Sequence, residues 1–242
     1  MNQENPEQKR SRGIYLLPNL LTTTALFAGF YAVVAAMKGY FDIAAFSIFI
    51  AMIADNLDGR VARLTNTESD FGAQYDSLSD MLSFGIAPAL VAYFWGLVSL
   101  GKPGWLAAFV YTAATALRLA RFNTQLMVAD KRYFTGLPSP AAAGLVTSSV
   151  WVAEQNALHH PVIVMLIACI TVLAGVLMVS NVSYYSFKEL DFKGRVPFVV
   201  ILAVILMFVI ISMDPPTVLF TALFIYVLSG PVLSLVNWWQ GR

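Results

Sequence analysis

The sequence predicts an all-α polytopic membrane protein with about eight transmembrane helices in a single domain. Three observations carry that prediction: composition, runs of apolar residues, and the distribution of basic side chains. Hydrophobic residues make up 58% of the 242 residues and charged residues only 12%, with a mean hydropathy of +0.70. A soluble domain carries about 25% charged residues to keep its surface wet. Half that proportion leaves most of the exterior facing hydrocarbon.

A spanning helix needs about 20 mostly apolar residues, and such runs fall at 18–37, 40–58, 73–99, 104–124, 139–155, 161–182, 196–212 and 216–238. The breaks sit at Lys38-Gly39, Gly101-Lys102-Pro103, Pro138-Ser139-Pro140, His160-Pro161 and Asp214-Pro215-Pro216, where turn residues interrupt helices. Residues 1–17 form a polar, basic segment that either lies on the membrane surface as an interfacial helix or is a plain tail; 18–242 read as one transmembrane domain. The fifth run is the weakest, short and rich in Ala and Ser. The sixth contains the one cysteine, Cys169, read as a small buried hydrophobe, so no disulfide framework is expected. The eighth ends at Trp238-Trp239, which reads as an aromatic interface belt.

Orientation follows from Lys and Arg. With the N-terminus in the cytoplasm, eight spans put thirteen of the 15 basic residues on the cytoplasmic side and leave only Lys38 and Lys102 outside. Both termini are then cytoplasmic, in a multi-pass protein of the cell's inner membrane. The net charge of +1 gives no reason to expect a nucleic-acid partner.

Four aspartates stand at the cytoplasmic ends of the second and third spans, where acidic groups are costly and mark function. Asp55 and Asp58 are three apart, Asp76 and Asp80 four apart, so each pair shares one helix face. If the two spans form an antiparallel hairpin, four carboxylates converge. Such a cluster must be protonated or meet cations. With oxygen ligands and no nearby His or Cys, it selects a hard ion such as Mg²⁺, Mn²⁺ or Ca²⁺, which suits a diphosphate substrate. Gly59 and Gly72 allow close approach of a nucleotide to the backbone. Ala62 keeps the same face shallow, and Arg63 can pair with a phosphate oxygen. Small residues also serve plain helix packing in membranes, and that reading stays open for each of them singly.

The run D-x2-D-G-x2-A-R-x8-G-x3-D-x3-D from Asp55 to Asp80 resembles the signature of the CDP-alcohol phosphatidyltransferase family at every fixed position. The resemblance implies a six-helix core, a homodimer, a polar cavity open to the cytoplasm and two divalent ions. It implies Asp55, Asp58 and Asp76 as metal ligands, and Asp80 as a metal-proximal residue and the general base. It also implies Gly59, Ala62, Arg63 and Gly72 as the wall of the CDP site.

Three further stretches resemble the membrane-embedded phosphatidylserine synthase branch of that family: Arg12 to Thr22, Ala116 to Asn123, and Phe134 to Ala142. That resemblance implies transfer of a phosphatidyl group from CDP-diacylglycerol to L-serine, among membrane lipids. Arg118 and Arg121 share a helix face near the end of the fourth span, suited to the serine carboxylate, to the CDP-lipid phosphates, or to simple snorkelling. Asn123 beside them and Asn19 on the CDP-lipid side can donate to ligand oxygens or cap helix ends.

Rival readings are a sister enzyme using glycerol phosphate, inositol phosphate or choline, a membrane prenyltransferase, and a cation-coupled transporter. Prenyltransferase aspartate motifs are normally far apart, and a transporter gives no reason for the Gly and Ala-Arg positions. His159-His160 fall on the side of the membrane opposite the aspartates. Asp214 reads as part of an exposed turn and Lys188 to Arg195 as a solvated loop. Asp42, Glu68 and Asp70 lack the facing geometry of the four aspartates.

Overall fold

The structure, a computed structural model, describes residues 16–125, 133–185 and 198–239. Most of the N-terminal segment, the basic residues Lys131 and Arg132, the Lys188 to Arg195 cluster and Arg242 lie outside the described residues, as does the side chain of Trp238.

Each of the eight apolar runs is helical over most of its described residues. In chain order these are α1 (Leu16–Met37), α2 (Phe41–Thr65), α3 (Asp70–Asp80), α4 (Ala87–Trp95), α5 (Lys102–Gln125), α6 (Ser139–Gln155), α7 (Pro161–Val179), α8 (Phe198–Met213) and α9 (Pro215–Trp239). The third run is one rod made of α3, a π-helical segment Met81–Ile86 and α4. Among the described residues, Leu16–Met37, Asp70–Trp95, Pro161–Val179 and Pro215–Ser234 are long and apolar enough to cross a bilayer on length and composition alone. α2 and α5 instead carry charged residues toward their C-terminal ends, and α6 and α8 are short at 17 and 16 residues.

α1 and α2 meet along a seam of small side chains. Ala25, Ala28, Gly29, Ala32, Ala35 and Ala36 are buried on α1, and Ala44, Ala45, Ser47, Ala51 and Ala54 on α2. In lipid, where apolar surface gives helices no reason to associate, such residues let backbones approach for van der Waals contact. α1 also packs on α3 and the π segment. A Cβ on Gly29 would stand 2.5 Å from Ser83 Oγ, so this crossing requires glycine.

The Ala- and Ser-rich α6 is the centre of the bundle rather than a marginal span. Eleven of its residues are buried, from Ser139 to Ala153, and it packs against α2, α4, α7 and α9. Small residues give it low hydropathy because helices, not lipid, surround it.

Two three-residue strands, β1 (Tyr133–Thr135) and β2 (Ser183–Tyr185), pair antiparallel with Thr135 opposite Ser183. Gly136 follows at φ +79°, where an added Cβ would meet Met178 O at 2.3 Å. The pair joins the α5–α6 connection to the chain after α7, and β2 packs on α9. Cys169 corrects the sequence reading: it is exposed on the outer face of α7, not buried.

Candidate active site

The aspartate hairpin is made by two local capping devices. α2 ends where Asn66 turns left-handed at φ 50° and its N–H reaches the carbonyls of Ala62 and Arg63, a C-terminal role that Asn tolerates. α3 starts where Ser69 Oγ accepts the Gly72 N–H at 3.1 Å, as an N-cap serine does. The chain therefore reverses over Asn66 to Ser69 and brings the end of α2 beside the start of α3.

That reversal unites three of the four aspartates. One carboxylate oxygen from each of Asp55, Asp76 and Asp80 lies within 4.8 Å of the others. Asp58, 5% exposed, stands beside this trio. Its Oδ2 accepts the Thr22 hydroxyl at 2.7 Å, and the Thr22 carbonyl accepts Ser79 Oγ at 3.2 Å. α1 thus braces both aspartate-bearing helices, a part the hairpin reading did not foresee.

The trio fits a divalent cation. Asp76 Oδ1 and Asp80 Oδ1 are buried with no hydrogen-bond partner among the described residues. Buried carboxylate oxygens left so are strongly unfavourable unless a cation meets them. An all-oxygen donor set is what Mg²⁺, Mn²⁺ or Ca²⁺ takes.

A cavity of about 360 Å³ opens next to the trio, lined on its α2 side by Asp58, Gly59, Ala62 and Arg63 and on its α3 side by Gly72 and Asp76. Asn19 and Thr22 of α1 close it. Every residue assigned to the CDP-lipid side from the sequence is therefore on this wall. A Cβ on Gly59 would meet nothing within 4 Å, so the glycine opens the cavity rather than permitting helix packing. Arg63 Nε donates to Gly59 O at 2.9 Å, which folds the guanidinium along its own helix toward the cavity. Glu68, set aside in the sequence, also lines the cavity, together with Thr67 and Ser69; its place depends on the α2–α3 reversal.

The arginine pair lies on another side. Arg118 Nη1 donates to Thr135 O at 3.3 Å and to Met178 O at 3.4 Å, and Arg121 Nη2 donates to Asn181 Oδ1 at 2.9 Å. Asn123 does not cap its helix: its Nδ2 donates to Ser77 Oγ at 3.0 Å, tying α5 to α3 one residue from Asp76. Asn181 and Ser77 left no signal in the sequence, because their partners are far along the chain.

His160 Nδ1 accepts Val162 N–H at 3.3 Å at the start of α7, and His159 lies 3.8 Å from Glu154. Neither histidine belongs to the aspartate cluster. Asp214 is half-buried at the start of α9 rather than freely exposed.

The comparisons with known proteins agree with this geometry. The family model for CDP-alcohol phosphatidyltransferases matches residues 15–177, spanning the aspartate hairpin, the cavity wall and both arginines. A Helicobacter pylori protein named CDP-diacylglycerol–serine O-phosphatidyltransferase is 39% identical over 196 residues, covering 81% of this chain and 83% of the relative. Proteins of the same name from Methanocaldococcus jannaschii and Saccharomyces cerevisiae are 37% and 36% identical, covering 57% and 54% of this chain and 61% and 51% of those relatives. A helical membrane protein with this aspartate hairpin and this match has one placement: the chain belongs to the CDP-alcohol phosphatidyltransferase family.

Proposed function

We propose that this protein transfers the phosphatidyl group of CDP-diacylglycerol to the hydroxyl of L-serine, giving phosphatidylserine and CMP. The observation that carries the reading is the convergence of Asp55, Asp76 and Asp80 beside a cavity walled by Gly59, Ala62, Arg63 and Gly72. The shared name of relatives from a bacterium, an archaeon and a yeast supports serine as the acceptor.

In this mechanism the cytidine and its diphosphate occupy the cavity, with Gly59 and Gly72 leaving room at the backbone and Arg63 and Asn19 donating to phosphate oxygens. Asp55, Asp58 and Asp76, with Asp80 beside them, would hold divalent metal, Mg²⁺ or Mn²⁺, with two ions expected and Ca²⁺ an alternative. Bound there, the metal would supply charge neutralisation at the diphosphate and at the departing oxygen. Asp80 takes the proton of the serine hydroxyl as that oxygen bonds to the lipid-side phosphorus. The bond from this phosphorus to the bridging oxygen breaks, and CMP leaves with that oxygen. A positioned base of this kind contributes roughly 10²–10⁴-fold in rate. Arg118 and Arg121 serve the acceptor carboxylate or the lipid phosphates, with Asn123 holding their helix to α3.

The protein works as a homodimer in the cytoplasmic membrane, with its site and both termini toward the cytoplasm, where the basic residues concentrate. Residues 18–242 form one catalytic domain.

The test is CMP release by detergent-purified protein from CDP-diacylglycerol with serine, glycerol 3-phosphate, inositol phosphate or choline, each with Mg²⁺ or Mn²⁺. Serine-dependent release that a chelator abolishes is expected. Release driven by another alcohol overturns the serine assignment, and release with none, from folded protein, overturns the transferase reading.

A further inference from the structure

Arg118 and Arg121 are three residues apart on α5, yet the structure gives them different surroundings. Arg121 is engaged side chain to side chain by Asn181 at 2.9 Å. Among the described residues, Arg118 donates to carbonyls, Thr135 O and Met178 O, at 3.3 and 3.4 Å. These are long contacts for a guanidinium, near the limit of a useful hydrogen bond. Asp80 and Tyr226 both lie within electrostatic range of Arg118. Tyr226, on α9, donates its hydroxyl to Tyr185 O of β2 at 3.2 Å and stacks at a tilt on Tyr184, with ring centroids 5.7 Å apart. The small sheet thus stands between the arginine helix and α9, held from both sides.

The groups that surround the arginines come largely from one part of the chain. Met178, Asn181, Tyr185 and Tyr226 all follow residue 177, where the family match stops. The aspartates, the cavity wall and the arginines precede it. A chemistry shared by a whole family belongs in the matched part. The choice among acceptors needs groups that vary with the acceptor.

We infer that Asn181 and Tyr226 are acceptor-specificity residues, positioning the arginine pair so that Arg118 receives the carboxylate of a small amino-acid acceptor beside Asp80. This inference rests on the serine reading above and deepens it. Asn181 holds Arg121 near β2, and Tyr226 is linked through the small sheet to Arg118. An acceptor with its carboxylate on Arg118 and its hydroxyl at Asp80 must be short. Serine, whose hydroxyl and carboxylate are two carbons apart, has that length. A bidentate guanidinium–carboxylate pair also fixes direction, so the hydroxyl is aimed rather than merely bound.

The experiment compares wild type, Tyr226→Phe and Asn181→Leu in CMP release from CDP-diacylglycerol, with serine and with ethanolamine, which lacks the carboxylate. Both variants are expected to raise KM for serine on the order of 10-fold, the effect of losing one hydrogen bond in a charged network. KM for CDP-diacylglycerol should stay unchanged, and the preference for serine over ethanolamine should narrow by a similar factor. Asn181→Asp, which keeps an oxygen acceptor for Arg121, should restore most of the preference. Unchanged serine KM and preference in both variants overturn the inference, and so does a matched rise in both KM values with loss of kcat, which marks a structural role. A wild type that uses a different alcohol overturns the serine reading itself, whereas a serine-using wild type with indifferent variants removes this inference alone.

Discussion

Thr22 on α1 donates its hydroxyl to Asp58 Oδ2 on α2 at 2.7 Å, and both residues are almost wholly buried. The bond fixes one oxygen of Asp58 beside the site. Thr22→Val keeps the shape but removes the donor, and a buried carboxylate oxygen left unpaired costs about 1–3 kcal/mol. The expected outcome is a higher metal concentration for half-maximal CMP release and a weaker metal-induced rise in melting temperature. Thr22→Ser should recover both. An unchanged metal titration in Thr22→Val removes Thr22 from the site.

Asp55, Asp76 and Asp80 share one cluster, but the roles proposed for them differ. Asp55→Asn and Asp76→Asn should abolish turnover and the stabilisation of the protein by metal with CDP. Asp80→Asn should lower kcat by roughly 10²–10⁴-fold while keeping measurable metal-dependent CDP binding. Equal loss of CDP binding in all three variants would argue against a separate proton-accepting role for Asp80.

Two glycines on packed helices should respond oppositely to a side chain. At Gly59 a Cβ meets nothing within 4 Å, whereas at Gly29 it stands 2.5 Å from Ser83 Oγ and 2.8 Å from Ser83 Cα. Gly59→Leu is expected to melt no lower than wild type, since Leu is the better helix former by up to about 1 kcal/mol. It should nonetheless raise KM for CDP-diacylglycerol by filling the cavity. Gly29→Val should lose about 1–3 kcal/mol through overpacking, read as a lower melting temperature in detergent.

Asn123 and Ser77 exchange two hydrogen bonds, at 3.0 and 3.3 Å, between α5 and α3. Asn123→Leu should therefore reduce stability by about 1 kcal/mol and lower kcat without altering the choice of acceptor. A selective effect on serine KM would instead make Asn123 a ligand-binding group.

The spans were legible because a bilayer permits few solutions: long apolar helices separated by Gly, Pro and charge. The carboxylates were legible because each is costly where it stands. The end of the second helix was harder to place: α2 continues past 58 to Thr65, since a helix leaving the membrane turns polar without stopping. α6 looked weak because hydropathy measures affinity for lipid, and α6 is surrounded by protein. Thr22, Glu68, Asn181 and Tyr226 could not be singled out, because each acquires its partner through a fold contact that composition does not record. Thr22 left the nearest thing to a signal, a run of three threonines, Thr22 to Thr24, inside an apolar helix.

The wide turn Met81–Ile86 begins at the residue after Asp80, and the buried Tyr111 donates its hydroxyl to Phe84 O within it at 2.9 Å. π-helical turns are an extra residue accommodated inside an α-helix, often next to functional groups. One residue of α-helix corresponds to about 100° of rotation. The turn therefore acts as a phase shifter: the carboxylate-bearing half of the rod and its helix-packed half point in directions that a regular helix would not allow together. The aim of Asp76 and Asp80 is thereby uncoupled from the packing of α4, whose Ala87, Val91 and Trp95 are buried among the other helices.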